Sequence, residues 1–472
     1  MSTNEICFMT AKQLVKSIQS KTLSVTEVMD AHLAQIERIN PNVNAIVTLV
    51  AEQARVQAKA TDDALAKGEE VGPLMGLPIA HKDLALTKGI RTTSGSPIFA
   101  DFVPDQDALI VHRLKQAGAI TIGKTNVPEF GAGSQTFNPV FGATVNPYDT
   151  SKTCGGSSGG AAVALACGMQ PLADGSDMGG SLRNPANFCN VVGFRPSLGR
   201  VPSWPSLVGW SSVSTDGPMA RTVEDVALMC SAIFGPHINA PRSLRESGQA
   251  FTQSLDRDFK GTKIAWSHDL GDFPVDPRIT TTIDAQRPVF GDIGCVVVDA
   301  HPDMTDADEV FKVLRAFQFE ISMGALLDEH RDKMKDTVIW NIEMGKNLTG
   351  PQIGQVEVKR TAMYARFAQF MEEYEFLILP VSQVPPFDVT QPYITDIAGV
   401  EMETYIDWMK SCYYITVTGH PAISVPCGFT EEGLPVGVQI VGRRNDDIGV
   451  LQLAHAFEQA TEFWKQRPAM SK

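Results

Sequence analysis

The sequence has no C-x-x-C pair, no long apolar run, no basic excess and no histidine in a setting that suggests catalysis. Eight cysteines (Cys7, Cys154, Cys167, Cys189, Cys230, Cys295, Cys412 and Cys427) lie far apart, several in apolar settings such as Ala164-Leu165-Ala166-Cys167. That pattern argues against a disulfide framework and predicts buried thiols in a reducing compartment. No apolar run approaches the length of a bilayer span, so a membrane is not expected as a partner. The start, MSTNEICFMTAKQ, has neither the basic stretch nor the apolar core of a secretory signal, and a cytoplasmic location is expected. Forty basic residues against fifty-four acidic ones give a net charge of −14, which argues against nucleic acid as a partner. Histidine and cysteine spacing fits no metal site; His268, His301 and His330 read as surface or core residues. Neither metal nor cofactor is expected.

What remains is a chain of 472 residues, 43% hydrophobic and 20% charged, able to bury a large core unaided. Thr10-x-x-Gln13 and Ser24-x-x-Glu27 are capping-box patterns that predict helix starts. After the second, Val28, Leu33, Ile36 and Ile39 keep helical spacing until Pro41. Short apolar runs follow, alternating with helical stretches: Leu77–Ala80, Ala119–Ile122, Val163–Ala166 and Pro171–Ala173. Later strands are expected at Lys263–Trp266, Phe376–Leu379, Ala422–Val425 and Val436–Val441. Between about 305 and 375 the texture turns helical, opening on Thr305-Asp306-Ala307-Asp308 and carrying Phe311, Leu314 and Phe317, as in a cap over a sheet. A last helix begins near Asp447. With no repeat, linker or low-complexity tract, one α/β domain over residues 1–472 is expected, with a parallel or mixed sheet.

The most unusual composition runs from Cys154 to Arg200. Two glycine-flanked serines stand out, Ser157 in Gly155-Gly156-Ser157-Ser158-Gly159-Gly160 and Ser181 after Met178-Gly179-Gly180. A flexible surface loop is the bland alternative, but the small apolar residues beyond (Ala161–Ala166, Pro171–Ala173) would be wasted on one. The N–H groups of Gly179, Gly180 and Met178 could converge as an oxyanion hole, with Asn184 and Pro185 opening a helix as N-cap and N1. A serine nucleophile needs a base. His81 and Lys82 close an apolar strand in Gly76-Leu77-Pro78-Ile79-Ala80-His81-Lys82-Asp83, where ligands bind in open α/β sheets. Lysine there can be held neutral by desolvation, although a lone strand-end lysine is more often a surface charge. Two motif matches fail on context. Gly118–Thr125 satisfies the P-loop expression, but its middle is an apolar strand. Gly155–Gly159 fits a nucleophile elbow, but a polar loop precedes it.

Together these segments resemble the amidase signature family: GGSSGG, then GSDMGGSLRNPA and GFRPSLGR, with GLPIAHKD upstream. GKTNVPEF (123–130), FGATVNP (141–147), GHPAISVP (419–426) and GLPVG (433–437) also look like that family's segments. The likeness is strong over about 70–230 and clear over 415–460. It implies a single domain with a mixed central β-sheet covered by helices on both faces: N-terminal helices over 1–70, a signature core over 71–230, and 415–465 completing the sheet.

The same resemblance implies that Ser181 is the nucleophile, Ser157 a proton relay behind a cis peptide bond, and Lys82 the terminal base. It gives Met178, Gly179, Gly180 and Ser181 backbone N–H groups to the oxyanion hole, and Ser158, Asp177 and Arg183 the task of holding the serines. Phe130, Gly131, Ala132 and Gln135 are expected to line the substrate pocket. Met178, Leu84 and Asn190 depart from the family's commonest residues, and none is in the triad. The implied activity is hydrolysis of a small-molecule amide, anilide or carbamate, with esters as a side activity, by a monomer or homodimer. Two alternatives stay open: the glutaminase component of a tRNA-dependent amidotransferase, whose glutamine-binding stretch differs from Lys359-Arg360-Thr361, and a silent binding protein. Trp204, Trp210 and Trp408 are candidates for an aromatic mouth, with core packing as the commoner role for each.

Overall fold

A computed structural model describes all of residues 1–472. The element order alternates strands and helices, as the sequence pattern predicts. Eight strands form one sheet, in the spatial order Val296–Asp299, Lys263–Trp266, Phe376–Pro380, Pro435–Gly442, Ala422–Phe429, Val192–Arg195, Thr215–Ala220 and Leu172–Asp177. The first three pair in parallel and the rest antiparallel, so the sheet is mixed. Ala422–Phe429 and Pro435–Gly442 are almost wholly buried and read as near-continuous apolar runs, as strands covered on both faces do. Helices Arg183–Phe188, Pro277–Asp284 and Asp447–Thr461 pack on these strands.

A second sheet of three strands, Ile46–Leu49, Ile120–Thr125 and Pro78–Lys82, docks against the edge strand Leu172–Asp177. Side chains make the joint: the Ala80 N–H donates to Gln170 Oε1 at 2.6 Å and the Lys82 N–H to Asp174 Oδ2 at 3.2 Å. This junction brings the end of Pro78–Lys82 to the end of Leu172–Asp177.

Both predicted capping boxes form, at Thr10 and Ser24. Pro41 does not stop its helix, which runs from Val25 to Val43. Val163–Ala166 differs more: it lies in the helix Gly159–Ala166, buried throughout. Short apolar runs do not separate a buried strand from a buried helix, and here Gly160 decides. A Cβ at Gly160 would lie 2.3 Å from Asn126 N and 2.6 Å from Ala45 O, so only this bare helix face fits against the small sheet.

Three helices lie over the predicted cap region: Ala307–His330 packs on both Asp336–Lys346 and Gly350–Glu373, and also meets helix Lys410–Thr418. One apolar cluster of 111 buried residues runs from Ile6 to Phe457 through both sheets, and a second of six, including Val338 and Ile342, lies under the cap helices. The fold is a single-domain α/β structure with a large mixed sheet flanked by helices. No helix is long and apolar enough to cross a membrane.

Candidate active site

Alternation along Pro78–Lys82 sends His81 and Lys82 to opposite sides. The His81 ring nitrogens lie 2.7 Å from Asp174 Oδ1 and 3.1 Å from Thr121 Oγ1, away from both serines. Lys82 Nζ lies 2.9 Å from Ser157 Oγ, 2.8 Å from Ser158 Oγ and 3.0 Å from Ser176 Oγ. Its side chain is 1% exposed. Burial pushes its pKa down to about 7, against the opposing pull of Asp216, Asp177 and Asp174. A large fraction of Lys82 is therefore neutral near pH 7, with a lone pair facing hydroxyl groups.

Ser157 stands on the loop before helix Gly159–Ala166, after a cis Gly156–Ser157 peptide bond. Ser181 stands on the turn between strand Leu172–Asp177 and helix Arg183–Phe188. Both serines line one cavity of about 100 Å³. The Ser158 N–H donates to the Ser181 carbonyl at 3.2 Å, tying the two loops together. No hydrogen bond joins the Ser157 and Ser181 hydroxyls; such contacts are often long without substrate and tighten in the reacting complex.

Asp177 organises the Ser181 turn. Its carboxylate accepts from the Gly180 and Leu182 N–H groups at 3.0 and 3.1 Å, and from Arg183 Nε and Nη2 at 3.0 and 2.9 Å. Arg195 adds a contact at 3.1 Å. Burial alone would push the Asp177 carboxyl up, but Arg183 and Arg195 overcome it and hold it well below the ordinary range.

Two expectations about this turn need correction. Asn184 and Pro185 do not cap the helix, which starts at Arg183 behind Leu182. Asp177 takes the N–H groups of Gly180 and Leu182 just ahead of the helix, no side chain caps it, and Asn184 Oδ1 instead accepts from the Gly156 N–H at 3.2 Å. The Gly180 N–H is also committed to Asp177, which leaves the N–H groups of Met178, Gly179 and Ser181 without an acceptor in the protein.

Phe130 and Gly131 line the cavity that holds Ser157 and Ser181. Ala132 does not; it is fully buried in a small apolar cluster behind it. Gln135 faces an adjoining recess, with Nε2 donating to the Val389 carbonyl at 2.7 Å and Oε1 buried without a partner. Leu84, Ser134, Ser176, Ser214, Arg315, Phe319 and Met409 also line the site. Of these, Arg315 had a signal in the sequence: a charge on the buried face of the helix carrying Val310, Phe311, Leu314 and Phe319. A larger cavity of about 460 Å³ adjoins, shares Leu84, Ser176 and Ser214, and reaches Lys82 but neither Ser157 nor Ser181. Trp204 lines that larger space, whereas Trp210 is exposed and Trp408 buried, so the three tryptophans form no common mouth. No cluster of His, Cys, Asp and Glu forms a metal site.

The Amidase family profile matches residues 27–451. The chain belongs to the Amidase family. Among curated relatives it is similar to the A component of the glutamyl-tRNA(Gln) amidotransferase of Geobacillus thermodenitrificans, at 35% identity over 98% of this chain and 99% of the relative. It is also similar to an acylamidase of Rhodococcus erythropolis, at 33% identity over 100% of this chain and 99% of that one. A crystal structure of a bacterial aryl acylamidase from the amidase signature enzymes superposes with a TM-score of 0.92 and 30% identity, covering 98% of each chain. These likenesses extend over the whole Amidase-family fold, cap helices included.

Proposed function

We propose that this chain is a stand-alone amidase that hydrolyses the C–N bond of a linear amide, anilide or carbamate through an acyl-enzyme on Ser181. The observation that carries the reading is the buried Lys82, held near neutrality by burial and 2.9 Å from Ser157, on a cavity that also holds Ser181. Neutral Lys82 takes the Ser157 proton as Ser157 takes that of Ser181, and Ser181 Oγ attacks the carbonyl carbon. The N–H groups of Met178, Gly179 and Ser181 donate to the oxyanion. Collapse breaks the C–N bond, Ser157 delivers a proton to the leaving nitrogen, and the amine departs. Water then attacks the ester by the same relay, releasing the acid and restoring Ser181.

Likeness to an amidotransferase component favours a second reading, release of ammonia from glutamine for a partner. The site supports it less well. Glutamine carries an ammonium beside its carboxylate, and none of the residues lining the Ser181 cavity is a carboxylate that could pair with it.

The test is turnover of p-nitroacetanilide, hexanamide, a phenyl carbamate and glutamine by the wild type and by Ser181→Ala, with fluorophosphonate labelling of Ser181 alongside. Expected are turnover of an anilide, amide or carbamate, a fall of at least about 10³-fold in Ser181→Ala, and labelling of the wild type only. Turnover of glutamine alone would move the assignment to the amidotransferase component, and absence of both labelling and turnover would make the chain a binding protein.

A further inference from the structure

Five arginines are buried: Arg183, Arg195, Arg200, Arg221 and Arg315. Burying a guanidinium is costly unless its charge and its five N–H groups are answered. Arg183 and Arg195 meet Asp177, and Arg200 meets Asp447. Arg221 is answered by the carbonyls of Leu165, Gln170 and Met9. Arg315 alone meets neither a carboxylate nor a backbone carbonyl. Nε donates to Asn341 Oδ1 at 3.0 Å, Nη1 to the Met178 sulfur at 3.4 Å and Nη2 to the Tyr405 hydroxyl at 2.7 Å. Two of its N–H groups have no acceptor.

The surroundings are short of negative charge in the same direction. The Tyr405 hydroxyl accepts from Arg315 and, at 2.6 Å, from Asn341 Nδ2, while its own proton has no acceptor in the protein. Asp308, on the same helix, and Asp407 are each taken by Lys312 at 2.8 Å. Glu129 accepts from Ser96 and from the Lys335 N–H behind the Phe130 loop. The Lys335 ammonium, on the recess shared with Gln135 and Tyr405, lies 4.1 Å over the Phe137 ring and pairs with no carboxylate. Arg315, Phe319 and Met178 line the cavity of Ser157 and Ser181, and Arg315 Nη1 reaches the Met178 sulfur on that same wall, so the guanidinium borders the place where the acyl chain must sit.

We propose that Arg315 is a specificity-determining residue that binds a carboxylate at the far end of the substrate's acyl group, which makes the preferred substrates monoamides or monoanilides of short dicarboxylic acids. The proposal rests on the amidase reading above. A cavity of about 100 Å³ accepts a chain of a few heavy atoms, and a guanidinium held on its other side by Asn341 and Tyr405 offers a carboxylate its paired donors. An acyl chain with no charge would enter the same space and leave Arg315 unanswered.

Calorimetric titration of Ser181→Ala protein, which cannot turn over, separates recognition from catalysis. The probes are succinamate, glutaramate and adipamate, each against the corresponding diamide, which keeps the shape and removes the charge. At least one monoamide is expected to bind 10-fold or more tighter than its diamide. The preference should vanish in Ser181→Ala/Arg315→Met and survive in part in Ser181→Ala/Arg315→Lys. Equal binding of every pair, no binding of any probe at millimolar concentration, or a preference that survives Arg315→Met overturns the proposal. The comparison of pairs in the intact Arg315 pocket decides it even where the methionine variant does not fold. Turnover of p-nitroacetanilide without charge discrimination would overturn this inference alone. Charge discrimination without turnover of any amide would overturn the amidase reading and leave the anion site standing.

Discussion

Burial of Lys82 sets the pH at which the proposed site can work. With its pKa pushed down to about 7 by desolvation, Lys82 is a base above that pH and a cation below it. The kcat/KM for an uncharged anilide should therefore rise tenfold per pH unit below about 7 and level off above it. Lys82→Met should lose at least about 10²-fold and the rising limb with it; a profile flat from pH 5 to 9 in the wild type would refute the base assignment. Stability gives an independent sign. The unfolded chain holds the Lys82 proton up to about pH 10.4 and the folded chain only to about 7, so folding releases it between these values. The cost of burying Lys82 is then full below about 7 and fades as the pH rises. Lys82→Met should gain Tm relative to the wild type by more at pH 6.5 than at pH 10. Likeness of the GLPIAHKD, GGSSGG and GSDMGGS segments to the amidase signature singled out Lys82, Ser157 and Ser181, whereas Lys82 by itself read as a surface charge. Arg315 was passed over because a single charge in an apolar helix is read as snorkelling to solvent, and only the packing of Tyr405 and Asn341 around it shows that it stays inside.

Among elements, the turn from strand Leu172–Asp177 to helix Arg183–Phe188 carries the most constraint. Asp177 binds two backbone N–H groups of the turn and two buried arginines at once. Asp177→Asn leaves Arg183 and Arg195 without their shared anion, and breaking a buried ion pair in this way costs about 3–5 kcal/mol. The expected result is a lower Tm together with slower fluorophosphonate labelling of Ser181, since the same carboxylate shapes the turn; unchanged labelling in a folded variant would separate the two effects. Gly180 is fixed by a different demand. Its φ is +114°, and a Cβ there would lie 2.6 Å from the Cys412 Cβ of helix Lys410–Thr418. Gly180→Ala should cost about 1–3 kcal/mol from backbone strain alone, read as a fall in Tm. The sequence foretold this element as a glycine turn between strand and helix, but misplaced the helix start. Asn-Pro is a good opening pair in isolation, and the competing carboxylate came from the strand behind it. Where apolar runs contain β-branched residues and end at proline or glycine, as at Phe376–Leu379 and Val436–Val441, the strands stand as expected. Val163–Ala166 became helix because a run of four apolar residues suits either state and the close approach of Gly160 to Asn126 selects one.

For the whole molecule, one continuous core does the work that bridges or metals do in smaller folds. All eight cysteines are buried and free, distributed from Cys7 under the N-terminal helices to Cys427 in the large sheet. Burial pushes the thiols of Cys7, Cys154, Cys167 and Cys412 up to about 12, and the others upward too. Thiolate is the reactive form, so at pH 8 these groups are both inaccessible and protonated. The native protein should react with an aromatic disulfide reagent only as fast as it unfolds, and all eight thiols should react at once in guanidinium chloride. Because no native cross-link exists, a reducing agent should leave Tm unchanged. Fast titration of one or two thiols in the native state would mean that a core segment opens locally, and the position labelled would name it. Cys412 would be the informative one: it touches Gly180 and Arg183 from the helix beside the cap, so its exposure would report that the cap had moved away from Ser181.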